Sequence, residues 1–378
     1  MIQVRFETNE WVKRLAKAVT FTRYVLLRPV VAWFSYHLYY QFRIREKRHS
    51  KAGLPLKDGI AFCLVARDEA YTIDACLLSI VGFADQLIAV DNGSTDDTYE
   101  RMLRFREQYS GVMDITVLHR PDLNLRDCRQ LCVDHVQRTW FFRGDGDFLL
   151  LPEYKRLKKN ILKSRMPGAI SLKLIELFGD EHHGNRYVRF IRPGEYYLRS
   201  FESDVRYEEF YGRIEHARIP IYYRLSRNKT VGLIHANFCK SNRRIFYRTC
   251  YLDYREYVNK HKQGVEFSYY ESRWLQHVFQ SADHNVTEYR MARLIAVMCE
   301  RINTAYEDEI ARTGIEIFQS PYVVLYRDDK PFLRVLKSEA HQYTSTYISK
   351  MEDPAWLPDA DEFYADSLRT AFDVNEVS

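Results

Sequence analysis

From residue 59 to about 191 the chain alternates short apolar runs with amphipathic stretches. Ile60–Ala66, Gln86–Asp91, Asp114–Leu118 and Trp140–Phe142 have the length and branched or aromatic content of strands. Between them, residues 71–81 put Ile73, Cys76, Leu77 and Ile80 on one helical face. A second helix is expected through Met102, Leu103 and Phe105, capped by Ser94 or Thr95. A third runs from Asn124 to Val136, with Leu131, Cys132 and His135 helically spaced. Strand and helix in strict alternation predict a parallel sheet with right-handed crossovers. Pro152 opens another helix. Ala169–Ile175 and Tyr187–Arg192 read as further strands of a mixed sheet.

Beyond that, the pattern from Tyr196 to Val231 is irregular. From Arg243 helical spacing returns, with Tyr247, Tyr251, Tyr254 and Val258 at steps of three and four. Further helices are expected over Arg293–Glu309 and Pro331–Lys350, before an acidic end broken by Pro354 and Pro358. The organisation read from these shifts is a segment 1–58, a main α/β domain 59–240, a helical region 241–350 and an acidic tail 351–378.

At 378 residues, 46% hydrophobic and 28% charged, the chain is an ordinary globular protein large enough for one big domain and an appendage. Its seven cysteines are scattered, with no paired Cys-x-x-Cys knuckles, which fits reduced thiols in the cytoplasm. The net charge of +5 conceals an asymmetry: residues 1–58 hold twelve Lys and Arg against four Asp and Glu, and the last residues are acidic. Basic, aromatic N-terminal sequence suits contact with an anionic membrane surface, or a helix packed on the domain with a solvated basic face. Arg23 and Arg28 break its apolar stretch, so no spanning helix is expected. No signal-peptide order of regions is present either. No recognised nucleic-acid module accompanies the basic residues, so nucleic acid is not an expected partner.

The chemistry lies at the strand ends. Ile60–Ala66 breaks into Arg67-Asp68-Glu69; Gln86–Val90 ends in Asp91-Asn92-Gly93-Ser94; Trp140–Phe142 runs into Asp145-Gly146-Asp147. Open α/β sheets place ligands just beyond the carboxyl ends of their strands. Two carboxylates one residue apart repel each other unless a cation stands by. Hard divalent cations take such oxygens and share them with substrate phosphates. A lone Asp-Gly-Asp is also ordinary turn chemistry, and Asp91 could simply close an Asx turn. Three acidic strand ends together point to a crevice. A phosphatase using Asp-x-Asp as nucleophile would carry the motif on its first strand, and a nucleotidyltransferase would carry a glycine-rich loop after it. Arg67-Asp68-Glu69-Ala70 has no glycine.

The stretch from Ile60 to Phe148 resembles the nucleotide-binding half of GT-A glycosyltransferases of family 2. The resemblance rests on Val65-Ala66-Arg67-Asp68-Glu69, Val90–Thr98, Leu125-Arg126-Asp127-Cys128-Arg129 and Asp145-Gly146-Asp147, in the family's order. A weaker likeness to a bacterial lipopolysaccharide or capsule branch runs through Arg213–His216 and Gly232–Phe238. The resemblance implies a GT-A, Rossmann-like α/β fold: a mixed, mostly parallel sheet flanked by helices, with a helical C-terminal extension. It implies sugar transfer from a nucleotide-sugar donor, uridine-linked, to a hydroxyl of a glycan or glycolipid. A catalytically inactive GT-A scaffold is the alternative, and retention of both aspartates speaks against it.

By the same resemblance Ala66, Arg67, Glu69 and Asp91 line the nucleoside pocket, Ala66 through its backbone. Arg126 would reach a phosphate, although Leu125-Arg126-Asp127 stands where the family has Ala-Arg-Asn. Asp145 and Asp147 would hold Mn²⁺ or Mg²⁺ against the diphosphate, with His235 as third ligand. Inverting transfer needs a general base. Glu215 is favoured over Glu208 and Glu209, although the order Glu215-His216 departs from the family's His-x-Glu. A retaining mechanism would need no such base.

Overall fold

The computed structural model describes residues 30, 33, 34, 37, 49–163, 168–180, 184–187, 197–201, 205–210, 213–217, 223–261, 264–281, 283–301 and 319–343. Its main sheet begins with the predicted alternation. Strands β1 (Lys57–Ala66), β2 (Gln86–Asp91), β3 (Asp114–His119) and β4 (Arg138–Asp145) alternate with helices α1 (Ile73–Ser79), α2 (Thr98–Tyr109) and α3 (Leu125–Asp134). These four strands lie in the order β3-β2-β1-β4 and are parallel throughout. The period-two rule sorts their side chains between two cores. Ile60, Phe62, Leu64, Leu87 and Ala89 face α1 and α2, whereas Ala61, Cys63, Val65, Ile88 and Val90 face Cys128, Cys132 and Val133 of α3. Helices therefore cover both faces, and the buried strands read as continuous apolar runs.

The second half of the sheet is mixed. Strand β5 (Phe148–Leu150) and helix α4 (Pro152–Leu162) are followed by β6 (Gly168–Phe178), β7 (Gly184–Tyr187) and β8 (Tyr197–Ser200). Then come β9 (Tyr207–Phe210), β10 (Arg213–Ala217) and the long β11 (Arg224–Phe238). The order continues β4-β8-β6-β11-β5, with β7 on β6 and a separate β9–β10 ribbon. β11 runs parallel to β6 and antiparallel to β5. The expected α/β class, a mixed sheet flanked by helices, is what the chain forms. The stretch that looks irregular in sequence is a set of strands whose partners lie far away along the chain.

Local details depart from expectation for identifiable reasons. Helix α2 starts at Thr98, because Ser94 and Thr95 spend their side chains on Asp91 and Asp68. Helix α3 is capped by Asn124, whose side chain accepts the Asp127 amide at 3.0 Å. The second strand expected at Tyr187–Arg192 falls on 184–187, and residues 188–192 lie outside the described set.

After β11 come α5 (Asn242–His261), α6 (Phe267–Phe279) and α7 (His284–Arg301), packed around Phe246, Trp274, Phe279, Leu294 and Ile295. The helix expected at Pro331–Lys350 is instead a hairpin of β12 (Tyr322–Arg327) and β13 (Lys330–Leu336), ending in a 3₁₀ turn at 340–342; residues 344–350 lie outside the described set. Asp328 and Asp329 make its two-residue turn at φ of 48° and 61°, the left-handed pair a twisted hairpin requires. Arg334 on β13 is fully buried and ties the hairpin to the main domain. It donates to Gly179 O at 2.6 Å and Lys240 O at 2.7 Å, and lies over the Tyr322 ring at 3.9 Å. Most of 1–58 and all of 351–378 lie outside the described residues. No helix among the described residues is long and apolar enough to cross a membrane.

One glycine has a checkable packing role. A Cβ at Gly232 on β11 would stand 2.1–2.3 Å from the Tyr154 ring of α4. Gly232→Ala should destabilise the protein by about 1–3 kcal/mol through overpacking. A drop in the denaturation midpoint with unchanged far-ultraviolet circular dichroism at low temperature checks this.

Candidate functional site

The acidic strand ends singled out in the sequence lie at one end of the sheet. Asp91 stands in register with Ala66, and Asp145 with Val65, so the ends of β2, β1 and β4 are level. At the strand spacing of a sheet, the Asp91 and Asp145 backbones lie about 10 Å apart, with the end of β1 between them. Gly146 turns the chain where no side chain fits: a Cβ there would meet Glu69 Cγ at 2.9 Å and Ala66 Cβ at 3.0 Å. The turn delivers Asp147, which is 2% exposed. Antiparallel pairing of β5 with β11 sets His235 opposite Phe148, whose ring meets the imidazole edge-on at 4.7 Å. Asp145, Asp147 and His235 each present a ligand atom, all within 4.8 Å of one another.

Charges on all sides set the electrostatics of this cluster. Arg129 of α3, 2% exposed, donates to Gly144 O at 2.6 Å and to Asp145 Oδ1. Arg143 stands 3.6 Å from the other Asp145 oxygen. Burial pushes the Asp145 carboxyl up, but the two guanidiniums, Arg129 foremost, hold it below its usual range. Lys240 bridges the next pair, 3.1 Å from Asp147 Oδ2 and hydrogen-bonded to Glu69 Oε1. Burial raises Glu69; Lys240 opposes it, the Asp147 charge adds to it, and the carboxyl is left at about 7. His235 Nε2 lies 3.5 Å from Asp147 Oδ1, and its Nδ1 lies 3.6 Å from Glu176 Oε1 on β6. A carboxylate behind an imidazole is the arrangement that orients ligand histidines in metal sites.

Two carboxylate oxygens and an imidazole nitrogen, two of the residues nearly buried, form a donor set suited to a divalent first-row cation. The residues present therefore fit the metal expected from the sequence. A cation there would also ease the repulsion among Asp145, Asp147 and Glu69.

The flanking loops are braced by their own polar groups. Asp91 accepts the Gly93 and Ser94 amides at 3.1 and 3.2 Å, and His119 Nδ1 stands 2.7 Å from the same oxygen. It thus closes an Asx-type turn, fully buried at the end of β2. Asp68, at φ 52°, accepts Thr95 N at 2.6 Å and pairs with Arg244 at 2.9 Å. Burial raises the Asp68 carboxyl, yet the Thr95 hydrogen bonds and the Arg244 charge bring it below its ordinary value. Arg244 also donates to Arg67 O at 2.7 Å. Arg67 is exposed, 3.8 Å from Asp68. Arg126 pairs with Asp127 at 2.9 Å from the start of α3. The backbones of Glu208, Glu209 and Glu215 run in the β9–β10 ribbon, where Glu208 pairs with His216; their side chains lie outside the described set.

Sequence reasoning gave no role at this site to Arg129, Glu176, Lys240 and Arg244. A signal existed for one of them. Arg129 lies one helical turn past Arg126 and among Cys128, Cys132 and Val133, on the buried face of α3. For Lys240 and Glu176 only the sheet order brings them to the aspartates.

No family model matches the chain, and no curated protein matches it in sequence. Among solved structures it is similar to S. aureus TarS 1–349 in complex with UDP, at 12% identity, over 73% of this chain and 98% of that one, with a TM-score of 0.36. It is similar to the mannosyltransferase PcManGT from Pyrobaculum calidifontis in complex with GDP-Man and Mn²⁺, at 13% identity over 76% and 89%, TM-score 0.34. A shorter likeness is to Mycobacterium tuberculosis glucosyl-3-phosphoglycerate synthase with Mn²⁺ and UDP, at 24% identity over 33% and 45%, TM-score 0.24. Scores at this level mark a loose likeness, and the functional reading rests on the side chains themselves.

Proposed function

We propose that this protein is a metal-dependent glycosyltransferase that moves a sugar from a uridine-linked nucleotide donor to a hydroxyl of a glycan or glycolipid. The observation that carries the reading is the convergence of Asp145, Asp147 and His235 within 4.8 Å, level with Asp91 and the end of β1. On this reading the cation site stands beside the end of β1, where the nucleoside would bind. Asp145, Asp147 and His235 would hold the ion; the imidazole nitrogen favours Mn²⁺ over Mg²⁺. When bound, it supplies Lewis-acid stabilisation of charge on a departing diphosphate. Ala66, Arg67, Glu69 and Asp91 would line the nucleoside side, and Arg126 would reach a phosphate with its fork of donors. Arg129 and Arg143 keep Asp145 ionised, and Glu176 orients His235. The basic segment 1–58 would bring the domain to an anionic membrane surface carrying a glycolipid acceptor.

A screen of nucleotide sugars, read by release of nucleoside diphosphate with Mn²⁺ or Mg²⁺, tests the reading. Turnover with at least one donor, lost in excess chelator, is expected. No metal-dependent turnover with any donor would leave an inactive scaffold as the better description. Inverting transfer assigns the acceptor proton to Glu215. Glu215→Gln should lower turnover about 10²- to 10⁴-fold while donor affinity persists. A near-normal rate would move the base to Glu208 or Glu209, or point to retention.

A further inference from the structure

Helix α5 carries an aromatic surface that donor chemistry does not use. Its first turn belongs to the site: Arg244 reaches Asp68 and the Arg67 carbonyl at the end of β1. Tyr247 and Tyr251 follow at three and seven residues from Arg244, so all three share one stripe of the helix. The two rings start about 5 Å and about 10 Å along the axis from Arg244. Both tyrosines are exposed, 39% and 42%, unusual for neighbouring large aromatics. Their rings are parallel within 4°, with centroids 6.2 Å apart. Phe267 of α6 props both edge-on, at 5.3 and 5.5 Å. The platform is therefore held in place before anything binds it.

Beside it a cavity of about 100 Å³ opens, lined by Arg243, Tyr247, Glu271 and Trp274 among others. Trp274 is fully buried, and its indole N–H has no hydrogen-bond partner among the described residues. An unmade buried hydrogen bond is costly, so such a donor calls for an acceptor from outside. Flat, rigid aromatic faces flanked by a guanidinium, a carboxylate and an orphan donor suit an occupant with an apolar face and a hydroxyl rim. A pyranose ring has both: axial C–H groups that pack on a π face, and equatorial hydroxyls that exchange hydrogen bonds. A lipid chain would leave the polar rim unpaired.

The geometry points to a saccharide-binding platform on Tyr247 and Tyr251, with the Trp274 cavity taking a pendant hydroxyl or small substituent. Because the stripe starts at the arginine that braces the donor loop, we assign it to the acceptor glycan, one or two sugar units back from the reacting hydroxyl; that assignment rests on the transferase reading.

The test uses the full chain on a printed array of oligosaccharides containing hexoses, N-acetylhexosamines and uronic acids, with the best binder then titrated. Tyr247→Ala/Tyr251→Ala should weaken oligosaccharide binding at least tenfold. Tyr247→Phe/Tyr251→Phe, which keeps the rings, should retain it within about threefold. Trp274→Phe should weaken it severalfold. Donor hydrolysis without acceptor should be the same in wild type and the double alanine variant, while the acceptor KM rises and kcat holds. Oligosaccharide binding unaffected by the double alanine substitution, or no binding by wild type, would overturn the platform. Loss of binding to anionic vesicles in that variant, without array binding, would likewise overturn it in favour of a membrane contact. Glycan binding through the tyrosines by a protein that turns over no donor would sink the transferase reading and the acceptor role, and leave the saccharide site standing.

Discussion

Asp147→Asn should lower nucleoside diphosphate release about 10³-fold, some 4 kcal/mol of lost barrier reduction. The substitution is isosteric. It removes charge from a residue that is 2% exposed and whose second oxygen lies 3.1 Å from Lys240. Packing therefore changes little, and the fold should persist. What disappears is one of two anionic oxygens available to a cation, so Mn²⁺ affinity measured by calorimetry should fall with the rate. A linked consequence is checkable without activity. The Asp147 charge helps push Glu69 upward, so Glu69 in Asp147→Asn should titrate below its value of about 7. Full turnover in this variant, or in wild type with excess chelator, would refute the metal role.

Arg129→Met should cost about 3 kcal/mol of stability, the low end for removing one partner of a buried ion pair. The low end applies because the Asp145 side chain keeps 22% of its exposure and Arg143 stays at 3.6 Å. The sign of the pH dependence follows from the direction of the shift. Arg129 holds the Asp145 carboxyl below its ordinary value, so its contribution is present above the unfolded carboxylate pKa near 4 and is lost as pH falls through the lower folded value. Denaturant titrations in chelator should show the wild-type advantage at neutral pH and its disappearance in acid. Arg129→Lys should fall between the two, since a lysine cannot reach both Gly144 O and Asp145 with a planar fork. A constant gap across the acid range would mean that packing, and not charge, is what Arg129 supplies.

Much of the candidate site was legible along the chain because it is built from strand ends. A buried strand that breaks into acid is a local pattern, and Asp91, Asp145 and Asp147 each carry it. The hairpin at 322–336 was equally local, yet its second strand falls in the stretch Pro331–Lys350 expected to be helix. Its signal is the Asp328-Asp329 turn between two strand-like runs, and that pair lacks the glycine that usually marks a left-handed turn. The charged residues behind the aspartates were a different matter. Lys240 and Arg244 follow β11, and Glu176 sits on β6, with nothing in their neighbours to tell them from solvated charges.

Hydrophobic periodicity determined the alternating α/β half and its parallel crossovers, and the acidic strand ends marked where a ligand would sit, because burial on two faces of a strand and one face of a helix writes itself into adjacent residues. Only the tertiary structure decided that β11 lies between β6 and β5. That placement brings His235 to Asp147 and Glu176 to His235, and Lys240 follows from the end of β11. Sheet order beyond the first crossovers is chosen by long-range pairing energy, for which the chain carries no local mark.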